Sequence, residues 1–286
     1  MREADIRPKA LLDRYLSLSA EDAALYFPDP AALPRRACPG CGEMKPVTAF
    51  EKLGFKYVNC QDCGSLYADT CPDDEALSVL YKESRSAIFW AKEFFPAVAE
   101  SRRKNIFAPR AQEICALAGR LNIPLSSITD VGAGTGLFLR EMAKVKGSAE
   151  LLAVEPSAEM ARVCRRAGLN VFEGFSWEAE SDSQIAGKAD LVTCFEVIEH
   201  VPDVVGFLSS LAVLVRPGGY LLVTGLMGDG FDIQLLGAKS KAVSPPHHLN
   251  FLSREGVSRA LSRAGLVLTD MLTPGRLDVE IVQSAL

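Results

Sequence analysis

The sequence predicts an α/β protein: a mostly parallel sheet with helices on both faces, preceded by a small cysteine-rich module and a helical segment. Three observations predict it. From residue 126 onward, short apolar or β-branched runs alternate with amphipathic stretches. A glycine turn, Asp130-Val131-Gly132-Ala133-Gly134-Thr135-Gly136-Leu137, joins the first such run to the first such stretch. Ahead of it, Cys38-Pro39-Gly40-Cys41-Gly42 and Cys60-Gln61-Asp62-Cys63-Gly64 repeat one C-x-x-C-G pattern.

Residues 1–35 read as an amphipathic helix carrying Leu11, Leu12, Tyr15 and Leu16, followed by a proline-rich connector from Phe27 to Pro34. Residues 36–70 hold the two cysteine knuckles. Two residues between cysteines let both thiolates face one ion, and the glycine that follows lets the backbone turn tightly behind it. Together Cys38, Cys41, Cys60 and Cys63 offer four sulfurs, a set that suits tetrahedral Zn²⁺ in a ribbon. With every position filled by protein, such a metal holds the module together and leaves no open site for chemistry. Iron of the rubredoxin kind fits the same sulfurs. Val47–Phe50 and Phe55–Val58 predict a short hairpin between the knuckles, while Cys71, Cys115, Cys164 and Cys194 show no ligand spacing.

Residues 71–122 form a helical linker rich in aromatics, among them Tyr81, Phe89, Trp90, Phe94, Phe95 and Phe107. That face either packs on the sheet or covers a site as a lid. Residues 123–286 carry the alternating pattern. Strands are expected at 127–131, 150–154, 170–173, 189–195, 219–224 and 266–273, and helices at 137–145, 157–167, 203–215 and 253–264. Ser253 reads as an N-cap and Gly265 as the stop of the last of these helices. A turn at Pro274-Gly275-Arg276 and the run Leu277–Val282 predict a closing antiparallel strand.

The glycine turn carries the first functional signal. Its glycines let the backbone press against a ligand, and the helix that follows directs free N–H groups and a partial positive charge at the same spot. A dinucleotide fingerprint would place its third glycine at Leu137, whereas this turn reads G-x-G-x-G behind an acid, Asp130. The next apolar strand, Leu151–Val154, ends in Glu155, 19 residues beyond Gly136. One carboxylate there can accept hydrogen bonds from both hydroxyls of a ribose.

These residues resemble the class I S-adenosylmethionine-dependent methyltransferases, which have a Rossmann-like sheet. Asp130–Gly136 is similar to their first signature and Glu155 to the second; Asp190–Val201 and Leu214–Val223, with its Arg216-Pro217-Gly218-Gly219 turn, match two later ones. The resemblance covers about residues 126–275. It implies that Gly132, Ala133, Gly134, Gly136 and Leu137 line the cofactor's methionine and ribose, behind the acid Asp130. It further implies that Glu155 holds the ribose beside Pro156, that Met160 packs near the adenine, that Glu173 or the Gly174-Phe175 backbone reaches the adenine edge, and that Phe195 and Glu196 lie near the sulfonium.

Methyl transfer asks little beyond aligning an acceptor with the S–CH₃ bond, plus a base or cation where the acceptor is a hydroxyl. Candidates are His247 and His248 in Pro245-Pro246-His247-His248-Leu249-Asn250-Phe251, together with Glu196 and His200. The stretch Glu196-Val197-Ile198-Glu199-His200 is similar to one that ubiquinone-pathway O-methyltransferases associate with a divalent metal; His200 equally fits a helix cap or a packing role behind the turn.

The sequence therefore predicts methylation of a small-molecule acceptor at a hydroxyl or sugar carbon, with a structural zinc ribbon. Sugar-nucleotide C-methyltransferases also place such a ribbon ahead of this fold. A ribbon reading RNA is the rival, and a net charge of −5 with no basic stripe argues against nucleic acid. A non-catalytic cofactor-binding scaffold is the third reading; the intact glycines and Glu155 argue for retained binding. No run of 18 apolar residues predicts a membrane span, and the charged residues after Met1 predict no signal peptide, so a cytoplasmic location is expected.

Overall fold

Nearly continuous apolar runs such as Leu191–Phe195 form strands buried on both faces, the usual lot of a parallel sheet covered by helices. The computed structural model describes residues 2–273 and 277–285. Its strands are, in chain order, β1 (Pro46–Lys52), β2 (Phe55–Cys60), β3 (Leu66–Ala68), β4 (Ser127–Val131), β5 (Glu150–Val154), β6 (Asn170–Phe172), β7 (Ala189–Phe195), β8 (Val215–Thr224) and β9 (Asn250–Phe251).

Two compact units divide the chain. One comprises residues 99–197 and 206–224; the other comprises 1–98, 198–205 and 225–286. In the first, the sheet runs β6-β5-β4-β7-β8 with all four pairings parallel. The chain steps outward from β4 to β6 and then returns to place β7 on the other side of β4. The carboxyl ends of β4 and β7 thus meet at a topological switch point, where open α/β sheets bind ligands. The helix Leu137–Val145 buries Phe138, Leu139 and Met142 in a core shared with Ile128, Ala153 and Leu191.

In the second unit the strands order as β1-β2-β3-β9, all antiparallel. The expected ribbon hairpin is β1–β2. Phe55, Tyr57 and Phe251 are fully buried in its core, with Leu249 beside them. β9 pairs with the ribbon's last strand, and residues 225–286 fall in the same unit as the ribbon.

The C-terminal expectation fails. Residues 266–273 form no strand, and Asp278–Ala285 is a helix in place of the closing strand; the turn at 274–276 lies outside the described residues. The alternation in 277–282 also meets helical spacing, burying Val282, and Asp278 and Glu280 fall in the first turn, where the helix dipole favours acids. Ser253 caps the helix Arg254–Arg263 as expected, accepting from Gly256 N. Among the described residues, no helix is long and apolar enough to cross a membrane.

Candidate functional site

The turn after β4 uses its glycines where a side chain would be costly. Gly132, Gly134 and Gly136 have φ of +71°, +58° and +71°. A Cβ on Gly132 would stand 2.7 Å from Val197 Cγ2, and one on Gly136 would stand 2.4 Å from Leu169 Cδ1. At Gly134 the nearest atom is Met160 Sδ at 4.0 Å, so the backbone there faces open space. Between them, Thr135 Oγ1 is buried without a hydrogen-bond partner. The turn thus combines open space at Gly134 with an unmatched hydroxyl at Thr135.

Glu155 closes β5 and is buried; its carboxylate accepts from Gly134 N at 2.7 Å and Ser157 N at 2.9 Å. Burial pushes its pKa up to about 7 against the pull of those two amides. Asp130, at the end of β4, accepts from Thr193 Oγ1 at 2.7 Å. Burial raises it to about 7 as well, Thr193 and Arg110 pull it down, and Glu155 adds to the rise. Met160 lies in the first turn of the helix Ala158–Arg166, capped by Ser157, with Pro156 just ahead. Asp130, Gly134, Glu155 and Met160 are thus gathered at one end of the sheet.

Other expected positions behave differently. Glu173 is exposed and pairs with Arg165 at 2.7 Å instead of turning toward a ligand. Glu196 adopts φ +56°, uncommon for a residue with a side chain, and accepts from Thr224 Oγ1 at 2.6 Å. Phe195 packs edge-on against Phe138, ring centroids 4.8 Å apart. The Arg110 guanidinium lies 4.3 Å from the centre of the Phe195 ring. Sequence reading missed Arg110: it sits on the helix Ala108–Leu121, ahead of the glycine turn and the motifs that follow it, and no spacing marks it.

In the second unit, the carboxylate of Glu199 and the rings of His200 and His248 bring one donor atom each within 4.8 Å of one another. The ring centroids of His200 and His248 are 4.8 Å apart. His248 Nδ1–H donates to Ala242 O at 2.5 Å. His200 Nδ1 meets Tyr81 Oη at 3.0 Å. Burial, followed by the neighbouring His248 and His247, holds His200 well below the usual histidine range, so its ring is neutral at pH 7. His247 is not part of this cluster: it is buried, bonded to Ser86 Oγ at 3.3 Å and packed against Tyr81 and Tyr15. Burial pushes its pKa to about 4.

The four ribbon cysteines converge in the same unit, with Sγ atoms 3.5 Å apart for Cys38–Cys63 and for Cys41–Cys60. Four sulfurs at the Zn–S bond length would be about 3.8 Å apart. Both knuckle glycines, Gly42 and Gly64, take positive φ as the pattern requires.

The parallel sheet with its switch-point glycine turn has the architecture of an S-adenosylmethionine-dependent methyltransferase. A methyltransferase-domain profile matches residues 100–270, and the chain belongs to that family. A ubiquinone biosynthesis O-methyltransferase of Xanthomonas campestris pv. campestris (strain B100) is 28% identical over 183 residues, covering 60% of this chain and 76% of the relative. The enzyme of that name from Xanthomonas axonopodis pv. citri (strain 306) gives the same identity and coverage. Among solved structures, a candidate O-methyltransferase of Nostoc punctiforme PCC 73102 aligns with a TM-score of 0.54 at 17% identity, covering 68% of this chain and 58% of that one. That likeness is one of fold.

Proposed function

We propose that this methyltransferase transfers the methyl group of S-adenosylmethionine to a hydroxyl of a small molecule. The supporting observation is the cluster of Glu199, His200 and His248, whose donor atoms lie within 4.8 Å of one another. Methylating a hydroxyl needs a group that removes its proton, and a neutral imidazole fixed by its second nitrogen is suited to that task. The His248 ring is held in place by its bond to the Ala242 carbonyl. The names of the Xanthomonas relatives also favour oxygen as the acceptor.

In this reading S-adenosylmethionine supplies an already activated methyl, and the chain binds and orients. Glu155 would accept from the ribose hydroxyls, the Gly132–Gly136 turn would hold the methionine end, and Thr135 Oγ1 would gain a partner. The reading assigns the acceptor's proton to His248, with Glu199 and His200 beside it in the cluster.

The same three side chains fit a divalent cation, since one carboxylate and two imidazoles form a mixed donor set. His248 Nδ1 bound to a carbonyl, and His200 Nδ1 beside a tyrosine hydroxyl, are the outer contacts that metal-binding histidines make. Such a cation would acidify a bound hydroxyl. At the ribbon, Cys38, Cys41, Cys60 and Cys63 would hold a structural Zn²⁺.

The test is a calorimetric titration with S-adenosylhomocysteine, followed by assays on phenolic and sugar-nucleotide hydroxyls. Micromolar binding and product with one acceptor class are expected. His248→Asn should lower kcat by roughly 100- to 10,000-fold with unchanged S-adenosylhomocysteine affinity. Full activity in that variant would refute the assignment of the base.

A further inference from the structure

A tetrahedral ion at the ribbon would have all four positions filled by cysteine, and the ribbon's contacts suggest a use beyond self-support. Arg36, two residues ahead of the first ribbon cysteine, is half-buried, and its guanidinium donates to three backbone carbonyls. Nε reaches Ala68 O at 2.9 Å, Nη1 reaches Pro202 O at 3.2 Å, and Nη2 reaches Leu249 O at 2.8 Å. Ala68 ends β3 of the ribbon; Pro202 lies two residues past His200; Leu249 adjoins His248. One rigid, planar fork therefore spans the ribbon edge and both loops that carry the cluster.

Tyr57 acts on the same loop from β2. Fully buried, it donates its hydroxyl to the carbonyl of His248 at 2.6 Å. Ala68 N–H adds a bond to Leu249 O at 2.9 Å. From the second knuckle, Cys63 O accepts from Ser253 Oγ, and Ser65 Oγ accepts from Ser253 N at 3.1 Å. The two loops are also tied to each other. Leu249 N and Asn250 N donate to Glu199 O at 2.7 and 3.2 Å, and Asn250 Nδ2 donates to Ile198 O and Val201 O at 2.9 and 2.8 Å.

We propose that the ribbon positions the Glu199–His200–His248 cluster, with Arg36 and Tyr57 as the positioning residues. The backbone on either side of the cluster hangs from ribbon groups, so the imidazoles can adopt only those orientations that the ribbon edge permits. The importance of this for turnover rests on the cluster reading above; the placement of the rings does not.

The chain has three histidines, so its ring resonances can be followed one by one in the full-length, ¹⁵N-histidine-labelled, zinc-loaded protein. The variants are Tyr57→Phe, Arg36→Met and Arg36→Lys, with Arg35→Ala as the control. Arg35 neighbours Arg36 but pairs with Asp69 through two bonds of 3.2 and 3.1 Å. Shifted His200 and His248 signals are expected in Tyr57→Phe and Arg36→Met, with partial return in Arg36→Lys and none moved in Arg35→Ala. S-adenosylhomocysteine affinity should be unchanged throughout. Unmoved histidine signals in Tyr57→Phe and Arg36→Met would overturn the proposal, as would equal movement in Arg35→Ala. If Arg36→Met does not fold, Tyr57→Phe decides alone, since it removes one hydroxyl and keeps the ring. Failure of wild type to bind S-adenosylhomocysteine would count against the functional reading and leave the ring measurement intact.

Discussion

At the scale of single residues, two buried carboxylates set the pH behaviour of the cofactor end. Asp130 and Glu155 both titrate near 7 in the folded chain, whereas unfolded Asp and Glu titrate near 4. Between those values the folded protein holds protons that the unfolded chain has released. Stability of the ligand-free protein should therefore fall as pH rises from about 4 to about 7 and level off beyond. Urea unfolding at several pH values should show this slope, and Glu155→Gln should flatten it. Cofactor binding should run the other way, because ribose hydroxyls donate best to an ionised carboxylate. S-adenosylhomocysteine should bind more tightly at pH 8 than at pH 6, and Glu155→Gln should weaken it roughly 10- to 100-fold and remove most of the dependence. A pH-independent affinity in wild type would show that Glu155 does not meet the ribose. Glu155 was legible because it closes a strand at a fixed distance from the glycine turn. Arg110 was not, because its contact with Phe195 joins residues far apart in the chain.

At the scale of elements, the glycine turn separates two roles that look alike on paper. Gly136→Ala should act on stability, since its Cβ would collide with Leu169 and press on Cys164 Sγ at 3.0 Å; a loss of about 1–3 kcal/mol in urea unfolding is expected. Gly134→Arg should act on binding, since the backbone there faces open space, and S-adenosylhomocysteine affinity should disappear while ribbon zinc content stays. Retained affinity would show that the turn is not the cofactor cradle. Ser253→Ala should cost about 1–2 kcal/mol, because its hydroxyl both caps the helix Arg254–Arg263 and donates to Cys63 O. The parallel strands and their helices were readable from period alone. The C-terminal segment was not: an alternating run that finds no strand partner can settle as a helix when its acids fall in the first turn.

For the whole molecule, the informative fact is how the chain is shared between its two units. The unit built on the parallel sheet contains Asp130, the glycine turn and Glu155; the unit built on the ribbon sheet contains the four ribbon cysteines, His200 and His248. Stripping zinc with a chelator should therefore lower the thermal transition of the ribbon unit while calorimetric binding of S-adenosylhomocysteine persists. Loss of cofactor binding on chelation would show that the two units do not hold their ligands separately.

The sequence by itself determined the local patterns. The C-x-x-C-G knuckles, the G-x-G-x-G turn, Glu155 and the alternation of strands and helices all depend on neighbours a few residues apart, or on elements in chain order, and such spacing survives in a linear string. The tertiary structure alone decided that Glu199 and His200 meet His248 while His247 turns away to Ser86. It alone showed Arg36 of the ribbon bonding to Pro202 and Leu249. Those contacts join residues far apart in the chain, as the pairing of β3 with β9 does, and such long-range pairing leaves no period or spacing to read.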